Sequence, residues 1–536
     1  MALKSSTMAS PLPHILLIVT DQFRHDAFSF QFTPNLYNLS TMSTVFDNAY
    51  ASTPTCTPSR SALLTGKSSW NHGMLGYASF VDCEKYRTTL PMVLDGIGFD
   101  TVEVGKNHFG TRSNGSDDDA REFITHGYNN VTLYEGLSEI PDDYDQYFES
   151  LHPGVDPLAT CNLGWNDWKA CPYAFAEMDH PTSWTTREAL RAIDSHEFDD
   201  PTGGPLMLKV SYHRPHSPYD PPKRLFDKHM SRKHRPEYGR NVDSTSWDQR
   251  YLNKTEMSHD AWHGDPGDDE ARTSRAAYLA NVELVDEGIG QILDSLGDRG
   301  VLEEFFIIWT SDHGDMNGDH YLWRKGYPYE ASSHINMMMK LPHQKEGTVS
   351  QALVENRDIA PTIYEICKVL DRTKNLDPLM DGISLLPLLN QSSRISGVRN
   401  RLDLEHNQVY DADIHWNAIV GYLNGKLYKY IFFATDGREQ LFCLTDDPDE
   451  RHDMAAQTES GHSYHSSSLL ALWRKTLIRQ FQNENRGAEW VTSNGTLVIG
   501  RRPMTFGPNY PCPSSSLSNG QPALLFSRAK NIFRAS

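Results

Sequence analysis

What this chain lacks narrows its chemistry before any motif is read. No apolar run approaches the roughly 18–20 residues that span a bilayer, so no membrane partner is expected. The first apolar stretch, Ile15–Val19, is too short for the core of a secretory leader. The expectation is a cytoplasmic protein, or one of a secretory compartment if residues are missing ahead of Met1. Cysteine is sparse and scattered, at positions 56, 83, 161, 171, 367, 443 and 512, without a Cys-x-x-Cys pair. That excludes the common zinc spacings and a dense disulfide scaffold. Cys161 and Cys171 are read as reduced loop thiols, with a bridge between them as the alternative in an oxidising compartment. Positive charge is in deficit too: 50 Lys and Arg against 70 Asp and Glu, a net −20. That argues against a nucleic-acid partner, which would call for a basic stripe. Internal repeats and low-complexity blocks are absent.

What is present points to a large α/β core. At 536 residues the chain exceeds one small core. It divides into a large domain over 12–400, a smaller one over 401–504 and an irregular tail over 505–536. His14–Thr20, Leu206–Tyr212 and Phe305–Thr310 are continuous apolar runs with branched residues, the pattern of strands covered on both faces. Helices are expected over 90–94, 181–193, 274–296 and 358–370, and the apolar stripe of 274–296 belongs to the core. Beyond 401 the texture turns to short strands at 417–423, 427–434 and 439–444, then a helix at 468–481. The predicted fold is a large, mixed but mostly parallel sheet sandwiched by helices, plus a small C-terminal antiparallel sheet with a helix. Residues 112–200 read as a long irregular insertion rich in Asp and aromatics (Asp117-Asp118-Asp119, Trp165, Trp168, Tyr173). A specificity lid and a packed decorative loop are the two readings of it. Residues 223–272 read as surface loop.

The chain is organised around Thr55-Cys56-Thr57-Pro58-Ser59-Arg60-Ser61-Ala62-Leu63-Leu64-Thr65-Gly66. Pro58 suits a first helical turn and Gly66 a C-terminal stop, so a short helix is predicted between them. Cys56 then lies just before a helix N-terminus, where free N–H groups and the dipole favour an anion. Arg60 opposes that dipole, which suggests a role other than helix support. Four strand ends carry further polar residues: Asp21-Gln22, Lys106-Asn107-His108, His213-Arg214-Pro215-His216 and Asp312-His313. Sites in open parallel sheets form at the carboxyl ends of strands. Asp21, Gln22, Lys106, His108, His216, Asp312 and His313 are therefore expected to converge with Cys56 and Arg60.

Cys56-x-Pro58-Ser59-Arg60, with Leu63-Leu64-Thr65-Gly66 behind it, resembles the signature of type I sulfatases. Gly105-Lys106-Asn107-His108 resembles that family's second signature. The resemblance implies an arylsulfatase-like enzyme of the alkaline phosphatase superfamily, with the fold of that superfamily. It implies that a formylglycine-generating enzyme oxidises Cys56 to an aldehyde whose hydrate is the nucleophile. It also implies one divalent cation held by Asp21, Gln22, residue 56, Asp312 and His313. Lys106 and Lys325 take the place of the family's sulfate-binding lysines; Arg324 leaves the second open by one residue. His216, rather than His213, takes the place of the histidine that protonates the leaving oxygen. His108 takes that of the histidine on the formylglycine hydroxyl, and Arg60 offsets charge. Oxygen ligands favour calcium, the ion expected, while the imidazole at 313 brings in manganese or zinc. The substrate implied is a small-molecule or saccharide sulfate ester. The net negative charge does not forbid it, because exposed charges are screened beyond about 8 Å.

Two features qualify the substrate. Gln22 stands where sulfatases carry a second acid, and His313 follows Asp312; both are shared with the phosphonate monoester hydrolases of the superfamily. A phosphonate monoester or phosphodiester hydrolase is therefore the alternative. A degenerate, non-enzymatic member is disfavoured because every catalytic position is filled. Asp315, Asp319 and His320 are read as turn and loop-anchoring residues outside the site.

Overall fold

The computed structural model describes residues 12–511, apart from 79–80, 82–85, 87, 114–120, 137–139, 158–162, 201–202, 235–261, 370–375, 378, 391–398, 408–414 and 457–463. In chain order the strands are β1 (His14–Asp21), β2 (Thr44–Tyr50), β3 (Asp100–Gly105), a ribbon of β4 (Thr111–Ser113) and β5 (Arg121–Phe123), and β6 (Asn130–Leu133). Then come β7 (Leu206–Pro215), β8 (Phe305–Ser311), β9 (His334–Ile335), β10 (Met337–Lys340) and β11 (Thr348–Glu355). The last four are β12 (Arg401–His406), β13 (Trp416–Leu423), β14 (Lys426–Phe433) and β15 (Glu439–Cys443).

The large sheet runs β11-β2-β10-β8-β1-β7-β3-β6, with β9 on β2. Its pairings are parallel except those made by β9 and β10. β1 shows why the apolar runs become central strands. Ile15, Leu17 and Val19 face one layer of helices (Cys56–Thr65, Leu90–Asp95 and Ile359–Ile366). Leu16 and Ile18 face the other, built from Pro181–Ser195 and Asp268–Asp298. All five are at most 1% exposed, and burying each contributes about 1.5–3 kcal/mol. The small sheet β12-β13-β14-β15 is antiparallel. One face packs Leu404, Trp416 and Ile431 against Tyr50, Tyr327 and Leu353 of the large domain. The other packs Tyr430 and Phe432 against Trp473, Leu477 and Phe481 of the helix Tyr464–Asn483. The architecture expected from the sequence is the one observed.

Several local expectations are corrected. Among its described residues the 112–200 segment is not irregular throughout: β6 extends the large sheet, and a capping box of Asp142 and Asp145 starts a helix at Asp143–Leu151. Lys223–Met230 is a helix rather than loop, started by chain turning at Pro222. β12 precedes the strands expected after 416, because its alternating Leu402 and Leu404 need the rest of the sheet to bury them. Residues 505–511 are packed, not tail: Leu75 N donates to Thr505 O at 2.8 Å, and Tyr510 is buried. Residues 512–536, the acidic run 117–119 and Cys83, Cys161 and Cys512 lie outside the described residues. Cys171 is disulfide-bonded, against its reading as a reduced thiol, which rested on compartment rather than geometry.

Candidate active site

Strand register assembles the site. Thr20 pairs with Tyr212 on β7 and Ser311 on β8, and Gly105 pairs with Ser211. Asp21 and Asp312 therefore lie level, with Lys106 just past Gly105 at the same edge, while β7 runs on past them: a bulge after Thr20 pairs Asp21 with Pro215, and His213 lies among the last residues of that strand. Gly105 is forced by this arrangement. A Cβ there would lie 2.1 Å from the Ser211 carbonyl oxygen, at φ +98°, so only glycine lets β3 and β7 close at this level. The loop after β2 enters the helix Cys56–Thr65 at the same edge, with Thr55 extended at the N-cap and Gly66 closing the far end. Cys56 is the first helical residue, one step further in than expected. His406 Nε2 of β12 lies 3.2 Å from Thr55 Oγ1, so the small domain holds the residue that precedes Cys56.

Cys56 Sγ is the hub. Lys325 Nζ lies 2.9 Å from it, His313 Nε2 3.3 Å, and both Asp21 carboxylate oxygens and Lys106 Nζ 3.9 Å. Lys106 Nζ also donates to Asp21 Oδ2 at 2.6 Å and lies 3.4 Å from His213 Nε2. Arg60 Nε donates to Asp312 Oδ2 at 3.1 Å, and its NH1 donates to Lys106 O and Ser211 Oγ. This explains the arginine in the first helical turn: it ties the helix to three strand ends. Of Arg324 and Lys325, it is Lys325 whose side chain reaches Cys56 Sγ; Arg324 N donates to Asp315. His216 is buried, with Nδ1 2.7 Å from Ser217 O. His108 is half-buried at the rim near Tyr77, its backbone N–H held by Glu135.

The charges are balanced by neighbours rather than by water. Burial alone would raise Asp21, but Lys106, Lys325, His216 and His313 pull its carboxyl well below the usual range. Burial and Asp21 would also raise the Cys56 thiol, yet Lys106, Lys325 and His313 bring it well below its ordinary value. Asp312 goes the other way, raised by burial and by Asp21. Burial, with Lys325 and Lys106, keeps His216 and His213 well below the usual imidazole value.

The donor set suits a cation. Ligand atoms of Asp21, Cys56, Asp312 and His313 all lie within 4.8 Å of one another. His313 Nδ1 donates to Gly314 O at 2.9 Å, which fixes the ring so that Nε2 faces the Asp21 and Asp312 carboxylates. Gln22 Oε1 is buried without a hydrogen-bond partner, an orphaned acceptor of the kind a metal ion satisfies. The structure thus brings together Asp21, Gln22, Cys56, Arg60, Lys106, His216, Asp312, His313 and Lys325, with His108 at the rim. His213, set aside in the sequence in favour of His216, also lies in the site, 3.4 Å from Lys106 Nζ. Reading the sequence passed over Glu135, Ser211 and His406, for which it carries no local signal. Trp165 joins the wall, its ring 4.6 Å from that of His213 and 5.8 Å from that of His216.

Residues 13–369 match the family model described as Sulfatase, and 318–468 the one described as N-sulphoglucosamine sulphohydrolase, C-terminal. The chain is 29% identical over 498 residues to an arylsulfatase of Clostridium perfringens, covering 89% of this chain and 95% of that one. It is 27% identical to a choline-sulfatase of Rhizobium meliloti, over 84% of this chain and 83% of that one. Among solved structures, a phosphonate monoester hydrolase of Agrobacterium radiobacter superposes with a TM-score of 0.70 at 20% identity, over 88% of this chain and 96% of that one. At that identity the likeness is one of fold. The family match spans well over half of the chain, and with it the expectation drawn from the Cys56 motif holds: the chain belongs to the sulfatase family and is a sulfuric ester hydrolase.

Proposed function

We propose that this enzyme works with Cys56 converted to formylglycine and with one divalent cation held by Asp21, Gln22, residue 56, Asp312 and His313. The observation that carries this is the setting of Cys56 Sγ, within 4 Å of two lysines, an imidazole and the Asp21 carboxylate. In the mature enzyme a hydroxyl of the hydrated aldehyde stands where Sγ stands here. A cation in this site supplies Lewis acidity and neutralises charge on the ester; calcium is the ion proposed, with manganese and zinc as alternatives.

The chain's own residues then divide the work. Lys106, Lys325 and Arg60 offset negative charge on the sulfate oxygens as the transition state forms. Asp312, whose proton affinity is raised by burial and by Asp21, takes the proton of the attacking hydroxyl. That oxygen bonds to sulfur while the bond from sulfur to the alcohol oxygen breaks, and the electron pair leaves with the alcohol. Burial and Lys325 hold the His216 imidazole below its usual value; the arriving sulfate charge offsets Lys325, His216 takes up a proton from solvent, and it passes that proton to the departing alcohol oxygen. The second hydroxyl of the hydrate, its proton passed to His108, reforms the carbonyl as the carbon–oxygen bond to sulfate breaks. Sulfate leaves and the aldehyde returns. A serine has no second hydroxyl, so sulfated serine could not complete this step.

The substrate proposed is a small aryl or saccharide sulfate ester, and maturation is assigned to a formylglycine-generating enzyme. Gln22 and His313 favour phosphonate monoesters as a second reading. Peptide mass spectrometry of residue 56 and parallel turnover of an aryl sulfate and an aryl phosphonate monoester test both. An aldehyde about 18 Da below cysteine and preference for the sulfate are expected. An unmodified thiol in fully active protein would refute the mechanism. The location proposed is cytoplasmic, with an oxidising compartment as the alternative that the bridged Cys171 supports; cell fractionation tests the two.

A further inference from the structure

Gln22 poses a problem that a carboxylate in its place would not. A carboxylate offers oxygen from either end, whereas an amide offers oxygen from one end and N–H from the other. A cation site containing Gln22 works only if the amide is held one way round. The backbone turns sharply here, with Gln22 at φ +66°. Its N–H donates to Asp312 Oδ1 at 3.1 Å and its carbonyl oxygen accepts from Tyr278 OH at 2.7 Å. The side chain is fixed separately. Gln22 Nε2 donates to Asp315 Oδ2 at 2.6 Å, and Tyr219 OH donates to the same oxygen at 2.5 Å. Asp315 Oδ1 accepts from Asn317 N and Arg324 N, both at 2.9 Å. All these side chains are fully buried or nearly so. An ionised carboxylate can only accept, so it takes the nitrogen end of the amide and leaves Oε1 for the cluster. Oε1 itself is buried and without a hydrogen-bond partner.

We infer that Asp315 is a positioning residue for the cation site: with Tyr219 holding it in place, it selects the orientation of the Gln22 amide that turns oxygen toward Asp21, Asp312 and His313. The inference rests on the cation reading above and goes beyond it by naming what makes an amide usable as a ligand. Asp315 acts through Gln22 and touches no reacting atom.

The test is calcium and manganese binding by the purified full-length protein, stripped with chelator and titrated by calorimetry. Asp315→Asn should weaken the dissociation constant about 10–100-fold, the usual cost of losing a residue that orients a ligand. Tyr219→Phe should weaken it less. In a Gln22→Ala background the same Asp315→Asn change should alter the constant less than about twofold, because the pair acts as one unit. Gln22→Glu combined with Asp315→Asn should restore binding, since the amide introduced at position 315 then donates to one oxygen of the carboxylate introduced at position 22 and leaves the other free. A structural role alone gives no such rescue. Equal loss with and without the Gln22 side chain, or no loss at all, overturns the inference while leaving the cation site standing. If the wild-type protein takes up neither ion, the cation reading itself fails and this inference with it.

Discussion

The floor of the site and its rim are built on different principles. On the floor Asp21, Cys56, Arg60, Lys106, Asp312, His313 and Lys325 are each at most 2% exposed. Apart from Lys325, which a loop delivers, their places follow from strand register and one helix end, and ionic partners lie within 4 Å. At the rim Tyr77, His108 and Trp165 are half-buried, sit on loops and meet neighbouring rings edge-on or tilted. The floor carries chemistry in a place where the backbone has little freedom. The rim carries contacts that a substrate can exchange. The two should therefore respond to substitution on different scales.

The largest effect belongs to the floor. Cys56→Ser should lower turnover of any sulfate ester by roughly four orders of magnitude or more, as removal of a nucleophile does elsewhere. Its thermal unfolding should stay close to wild type, because serine fills the same space at the start of the helix. Steady-state kinetics and a melting curve check both halves. Residual activity within tenfold of wild type would break the contrast at its root.

How much of this was legible before the structure follows the same division. The floor was readable because its residues sit at the ends of continuous apolar runs, where periodicity marks the strand and the strand end marks the site. Asp21 and Asp312 lie in such places, far apart along the chain yet in one row through register, and Cys56 announces itself by its own motif. What escaped reading depends on contacts that no local pattern records. Gln22 and Asp315 meet across 293 residues, and His406 reaches Thr55 from a separate sheet. β6 has four residues, too few for an alternation to stand out, and it becomes a strand only because β3 offers it an edge. His213 and His216 share one strand end, and sequence alone could not show that both line the wall.

A middle-sized effect compares two buried carboxylates. Asp21 faces lysines and falls well below the usual range. Asp286, on the long helix Asp268–Asp298, accepts from N–H groups of Asn35 and Leu36 and has the like charge of Glu283 nearby instead of a cation. Burial raises it to about 6, and its amide partners lower it only in part. The folded state then holds its proton more tightly than the unfolded chain. The stability from that proton is complete below about pH 4 and is lost as pH rises through about 6. The difference corresponds to about 3 kcal/mol. Urea unfolding at pH 4 and pH 7 should show this contribution in wild type and not in Asp286→Asn, whatever constant offset the variant carries. Parallel profiles for the two proteins would mean that burial alone does not set this carboxyl, and the contrast with Asp21 would lose its cause.

The smallest effect tests the rim. Trp165 sits over His213 and His216 because position 136 has no side chain. A Cβ there would lie 1.6 Å from the indole, at φ +85°. If His216 protonates the leaving oxygen, the group attached to that oxygen emerges beside this indole. A planar leaving group can then stack on it, a contact worth about 0.5–1.5 kcal/mol beyond simple burial. Trp165→Ala should lower kcat/KM about tenfold for an aryl sulfate and less than about twofold for a short alkyl sulfate, while Trp165→Phe keeps most of the aryl preference. The difference between substrates, rather than the loss itself, carries the meaning. A displaced His216 would slow both esters, and slow most the one with the poorer leaving group. A loss on the alkyl ester as large as on the aryl ester, or larger, would therefore move Trp165 from the rim to the floor, as a support for the imidazoles, and no loss on either ester would remove it from the site.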